Sequence, residues 1–139
     1  SDTPGNDKFR AIDYRLRSAH CVIIVYDITY KESFDHVAAW IEETKNLAED
    51  IAIVVAGNKN DMESHRAVET STAVEYTKAL QVPFFEVSAK TSQNVQQLFH
   101  TAVEEVLRCQ PSSFSSLSSN KPNPVHINEI PNQGLSHCC

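Results

Sequence analysis

Only three glycines occur in the 139 residues, Gly5, Gly57 and Gly134. No Gly-x-x-x-x-Gly-Lys-Ser/Thr run can be assembled from them, so the chain carries no glycine-rich loop to cradle phosphates with backbone N–H groups. Positive charge is scarce as well: 12 Lys and Arg stand against 18 Asp and Glu, for a net charge of −6. No basic stripe is present, which argues against a nucleic-acid partner. No apolar run approaches the roughly 18 residues of a membrane span, and no charged-then-apolar signal peptide opens the chain. The four cysteines, Cys21, Cys109, Cys138 and Cys139, show no metal-ligand spacing. Cys21 and Cys109 lie in apolar segments, where a free thiol acts as a small hydrophobe. A reducing, cytosolic setting is the simplest reading.

What remains is enough for one domain and a core, with 41% hydrophobic and 22% charged residues. Two short apolar runs, Cys21 to Tyr26 and Ile51 to Ala56, are rich in β-branched residues and do not alternate with polar ones. That pattern suits parallel strands covered on both faces. Pro83 to Val87 gives a weaker third strand. Between these runs the period becomes helical. Phe34, Val37, Ala38, Ile41 and Ala48 form one stripe. A short helix is predicted over Ser71 to Leu80, before Pro83. Val95, Leu98, Phe99, Ala102, Val103, Val106 and Leu107 form a cleaner stripe. Alternating strands and helices predict a doubly wound, mostly parallel α/β sheet, whose ligands bind at the carboxyl ends of the strands. From Gln110 onward four of the six prolines are interleaved with serines, so residues 110–139 read as a flexible, disordered tail.

The second apolar run ends in Gly57-Asn58-Lys59-Asn60-Asp61, and the third strand ends in Ser88-Ala89-Lys90-Thr91. Either alone reads as an ordinary turn. Together, each at the carboxyl end of its own strand, they resemble the two guanine-recognition motifs of the Ras superfamily, and of Rab-like small GTPases in particular. The residue types suit the chemistry. Guanine presents two neighbouring donors, N1–H and its exocyclic amine, and one carboxylate accepts both; adenine would leave that carboxylate desolvated and unpaired. The resemblance gives Asp61 this role. It also implies that Lys59 lays its methylene stem along the base and that Asn58 braces the loop. Ser88 would orient Asp61, the Ala89 N–H would meet guanine O6, and Lys90 would cover the base.

Asp2-Thr3-Pro4-Gly5-Asn6-Asp7-Lys8-Phe9-Arg10 resembles the Asp-Thr-Ala-Gly-Gln-Glu-Lys-Phe-Arg stretch of Rab switch II. The resemblance implies that Asp2 helps to hold Mg²⁺ and that Gly5 senses the γ-phosphate. Asn6 stands where the family has the Gln that orients the attacking water. It keeps the amide but is one methylene shorter, so intrinsic hydrolysis is expected to be slow. Pro4 replaces the usual Ala. Downstream, Arg15 to His20 departs from the family's Tyr-Tyr-Arg-Gly-Ala-His, whereas Val25 to Thr29 and Glu32-Ser33-Phe34 follow the family closely. Trp40, on the helix that follows, is expected to serve helix packing.

Cys138-Cys139 end the chain, and Rab proteins commonly finish in two geranylgeranylated cysteines. Two lipids give stable anchoring where one gives marginal binding, and this tail has no polybasic run to assist. The resemblance therefore implies residues 1–109 as a partial small GTPase domain and 110–139 as a tail ending in a prenylation site. The first residue is Ser1 and the family's first three strands have no counterpart, so a fragment of a longer parent is expected. That parent would be a GTP-binding switch, hydrolysing GTP to GDP with Mg²⁺ in vesicle traffic. Its place would be the cytosolic face of intracellular membranes. Its partners would be an exchange factor, an activating protein, a prenylation escort and effectors. The alternatives are a degenerate non-catalytic interaction module, a fragment unable to bind nucleotide, and an unrelated flavodoxin-like domain.

Overall fold

The computed structural model describes residues 18–47 and 50–109, and the expectations for the opening stretch and for the tail lie outside them. Three strands form one sheet: β1 (Cys21–Asp27), β2 (Ala52–Asn58) and β3 (Phe84–Glu86), in the order β1-β2-β3. Both pairings are parallel, with Tyr26 opposite Gly57, Asp27 opposite Asn58, and Gly57 in turn opposite Glu86. The register brings the ends of β1 and β2 level, with Glu86 alongside, so the loops that follow all emerge from one edge.

The central position of β2 explains its composition. Every residue from Ala52 to Gly57 is buried, because helices cover both of its faces. On one face lie α1 (Lys31–Asp35), α2 (Val37–Leu47) and α3 (Thr70–Ala79). Here Ile24, Tyr26, Ile28, Val37, Ile41, Val55 and Ala73 form the larger core. Tyr26 packs edge-on to Phe34 and stacks near Phe84, at ring centroid distances of 5.0 and 6.4 Å. Trp40 is half-buried against this core, as expected of a helix-packing residue. The opposite face carries α4 (Val95–Cys109), whose Leu98 and Ala102 meet Val54, Ala56 and Val87. Helices on both faces of a parallel sheet make the doubly wound α/β arrangement that the alternating pattern predicts.

Three details differ from the sequence reading. The first helical stripe is split at His36 into α1 and α2; Ala38 is exposed, Thr44 takes a buried place with its hydroxyl bonded to the Trp40 carbonyl at 2.8 Å, and Ala48 lies outside the described residues. The third strand is trimmed to Phe84–Glu86, and α3 starts and ends one residue early. In the last stripe four of the seven apolar residues are covered: Phe99 and Val103 are 58% and 59% exposed, and Leu107 is 46% exposed. The single row of α4 that meets the sheet is narrower than the apolar arc its sequence offers.

Gly57 is required by its surroundings. A Cβ there would stand 2.7 Å from the Tyr26 hydroxyl oxygen and 3.1 Å from Ile28 Cγ2, inside a core with no room to yield.

Candidate functional site

The carboxyl edge of the sheet gathers the predicted base-recognition residues. Asn58 is the last residue of β2, and its Oδ1 accepts the Ala89 N–H at 3.1 Å across 31 residues of chain. This is the same N–H that the resemblance assigns to guanine O6, so a ligand carbonyl would compete with Asn58 for it. Lys59 follows in the left-handed region, with φ 71°, a conformation uncommon for a side chain of this kind. Its carbonyl then accepts the Met62 N–H at 2.8 Å, starting the 3-10 turn Asn60–His65 that carries Asp61.

Asp61 is exposed, and its Oδ1 accepts the Ser88 hydroxyl at 2.5 Å. Among the described residues Oδ2 has no partner, which leaves an unused acceptor on an exposed side chain. Ser88 is fully buried and its oxygen also accepts the Thr91 N–H at 3.1 Å, so the hydroxyl is held in one orientation. Backbone bonds reinforce the junction: Asn60 N–H to the Val87 carbonyl at 3.0 Å, and Val87 N–H to the Gly57 carbonyl at 2.8 Å. Ala89 and Lys90 are exposed beside this pair. The fold thus brings Asn58, Lys59, Asp61, Ser88, Ala89 and Lys90 to one edge. Asp2, Gly5, Asn6, Cys138 and Cys139 lie outside the described residues.

Two groups of residues that carried no role in the sequence reading complete the edge. Asp27, the last residue of β1, receives the Lys59 ammonium on Oδ2 at 2.5 Å. Its Oδ1 accepts both the backbone N–H and the hydroxyl of Thr29, at 2.9 and 2.7 Å. Partial burial would raise the Asp27 carboxyl, but the bonds from Lys59 and Thr29 outweigh it and hold the group below the usual carboxylate range. Behind Asp61, Arg66 joins Glu63 and Glu86. Hydrogen bonds to Glu63 and then Glu86 make its guanidinium still harder to deprotonate, and Arg66 in turn holds the exposed Glu63 below its ordinary range. Sequence offered two signals for Asp27, its place just after a predicted strand and its membership of the family-like stretch Val25 to Thr29; for Arg66 it offered none.

The donor and acceptor set fits a purine base with a pair of adjacent donors, as guanine has. Asp61 offers an exposed acceptor at this edge, where Lys59 and Lys90 also lie. Among the described residues no cluster of His, Cys, Asp or Glu is placed to hold a metal ion.

Comparison with known proteins agrees with this geometry. The family model described as the Ras family matches residues 1–108. The chain is 39% identical over 143 residues to "GTP-binding protein ypt1" of Schizosaccharomyces pombe, covering 99% of this chain and 70% of that protein. It is 38% identical over 144 residues to "GTP-binding protein YPTM1" of Zea mays, with 99% and 69% covered. Identity to "Ras-related protein Rab-1A" of Dictyostelium discoideum is 36% over 140 residues, with 99% and 69% covered. With the family match spanning most of the chain and the two loops meeting at the sheet edge, the chain belongs to the Ras family, as a Rab-like small GTPase.

Proposed function

We propose that this chain supplies the guanine-selecting part of a GTP-binding switch that hydrolyses GTP to GDP. The observation that carries the reading is the Ser88–Asp61 bond, which holds one carboxylate oxygen of the otherwise exposed Asp61. Asp61 accepts guanine N1–H and the exocyclic amine; Ser88 holds it at the required angle. Lys59 and Lys90 flank the base with their stems, and the Ala89 N–H passes from Asn58 to guanine O6. Pre-aligned acceptors of this kind select against adenine because its edge would leave Asp61 unpaired.

The remaining roles follow from the family pattern. Asp2 helps to hold Mg²⁺, which when bound offsets phosphate charge. Gly5 reads the γ-phosphate through its N–H, and Asn6 orients water less effectively than a Gln. Residues 1–109 form the GTPase portion, and residues 110–139 link it to a geranylgeranylated Cys138-Cys139. That pair tethers the protein to the cytosolic face of intracellular membranes in vesicle traffic. There it meets an exchange factor, an activating protein, an escort for prenylation and effectors.

The test is the affinity for GDP, GTP and ADP of the protein translated from its own start codon. GDP is expected to bind far more tightly than ADP, and Asp61→Ala to weaken GDP by about 100-fold or more, the worth of two hydrogen bonds to a charged acceptor. Equal affinity for GDP and ADP, or an Asp61→Ala variant with unchanged GDP affinity, would sink the reading in favour of a non-catalytic interaction module. For the tail, a lipid mass shift that survives Cys138→Ser with Cys139→Ser excludes prenylation there.

A further inference from the structure

We propose that Arg66 is a positioning residue of the base pocket: by tying the Asp61 turn to the end of β3, it sets how sharply guanine is told from hypoxanthine. The inference rests on the guanine reading above and deepens it.

Arg66 lies five residues beyond Asp61 and closes the same 3-10 turn; Glu86 lies two residues before Ser88. The Ser88–Asp61 bond therefore joins the two loops at the front, and Arg66–Glu86 joins them behind. The rear link is the more rigid. Arg66 Nη1 donates to Glu86 Oε1 at 2.7 Å and Nη2 to Oε2 at 2.9 Å, a bidentate fork. Nε and Nη2 donate to Glu63 Oε1 and Oε2 at 2.7 and 2.6 Å, and Nη1 donates to the Val68 carbonyl at 2.9 Å. All five N–H donors of the guanidinium are thereby committed.

Glu86 is pinned just as fully. Its Oε1 also accepts the Thr70 hydroxyl at 2.9 Å, and its carbonyl accepts the Asn94 side-chain N–H at 2.8 Å. Arg66 and Glu86 side chains are 9% and 13% exposed, so water barely competes for the pair, whereas Glu63 at 67% is a rim contact. A single hydroxyl bond at the front lets two loops pivot about it. A planar fork behind fixes angle as well as separation.

Guanine differs from hypoxanthine by one donor, the exocyclic amine. A carboxylate in its proper place meets both guanine donors; one displaced by about 1 Å loses one of them while keeping the other. Loosening the clamp therefore lowers the preference for guanine over hypoxanthine more than it lowers purine binding as a whole.

The experiment measures GDP and inosine diphosphate dissociation constants for the full-length protein and for Arg66→Lys and Glu86→Gln, each at a temperature where circular dichroism shows it folded. Lys keeps the charge but not the fork. Either variant is expected to shrink the GDP-to-inosine-diphosphate affinity ratio by about tenfold, the worth of one charge-assisted hydrogen bond. In an Asp61→Ala background neither should change the ratio further, because the clamp acts through Asp61. If one variant does not fold, the other decides. A folded variant that keeps the full ratio while its melting temperature falls overturns the inference and leaves Arg66 a stability residue only. A wild-type protein that does not prefer GDP over ADP instead overturns the guanine reading itself, a different result from the same titrations.

Discussion

The two faces of the sheet are built from the same strands and are covered very differently. On the face of α1, α2 and α3, Ile24 is 6% exposed, Tyr26 is 2% and Val55 is fully buried, and three aromatic contacts join Tyr26, Phe34, Phe84 and Tyr76. On the α4 face, Val25, between Ile24 and Tyr26 in the same strand, is 57% exposed, and Phe99, Val103 and Leu107 are open among the described residues. A strand alternates its side chains between faces, so this contrast isolates coverage from composition. On the α4 face Val54 and Ala56 of β2 are fully buried, whereas Val25 of β1 on the same face stays in contact with solvent.

The sharpest way to test that contrast is a pair of truncations. Ile24→Ala is expected to cost about 2–5 kcal/mol through lost burial and a residual cavity, and Phe99→Ala less than about 1 kcal/mol, since its ring is already largely in water. Urea midpoints at constant m-value measure both. Equal costs would mean that α4 is covered in solution and that the contrast is false.

The next effect probes how tightly the covered face is filled. Gly57→Ala brings a Cβ to 2.7 Å from Tyr26 Oη and should cost about 1–3 kcal/mol by overpacking. Tyr26 Oη is buried with no hydrogen-bond partner among the described residues, so Tyr26→Phe should be neutral or slightly stabilising alone. Combined with Gly57→Ala it should recover part of the loss. Strict additivity of the two changes in a thermal melt would show that the contact is not what excludes the methyl group.

At the edge where both faces meet, Asp27→Asn should lower stability at neutral pH by about 1 kcal/mol, the net worth of a partly buried hydrogen bond to charge. Because the folded carboxyl lies below its ordinary value, this difference is fully present above about pH 4 and vanishes as pH falls through the folded value. Parallel melting curves of the two proteins down to acid pH read it directly. A gap that persists in strong acid would mean that charge is not its source.

The smallest effect on stability comes from the sparser face. Cys21 there is pushed up to about 11, by burial first and by the neighbouring Glu105 second. Its alkylation at pH 8 should run on the order of 100-fold slower than that of an unstructured cysteine peptide, because the thiolate is the nucleophile. Peptide mapping after iodoacetamide gives the rate, and peptide-like reactivity would show that this face opens freely to water.

Much of the architecture is legible before folding. The unbroken burial from Ala52 to Gly57 follows from a run without alternation, and both base loops are recognisable because each directly follows such a run. The rest depends on partners far along the chain. The partner of Asp27 is unreadable until the register sets it opposite Asn58, next to Lys59. Arg66 meets Glu86 across 20 residues, and no local pattern announces that pairing. The apolar arc of α4 was legible as hydrophobic but not as half-open, since periodicity reports which side chains avoid water and not how wide a neighbour is available to cover them.

The Ser88–Asp61 bond spans 27 residues, and the Asn58–Ala89 bond spans 31. Neither loop can hold its working shape until a complete β-α-β crossover has closed, and parallel pairings of this kind form late because their loop-closure entropy is met before the contacts repay it. An unfolded chain therefore presents no trace of the pocket. A nucleotide that bridges the two loops binds only the native form, and by mass action at 100 times its dissociation constant it adds about 2.7 kcal/mol to the folding free energy. On the proposed guanine reading, nucleotide concentration would thus set how much of the protein stays folded.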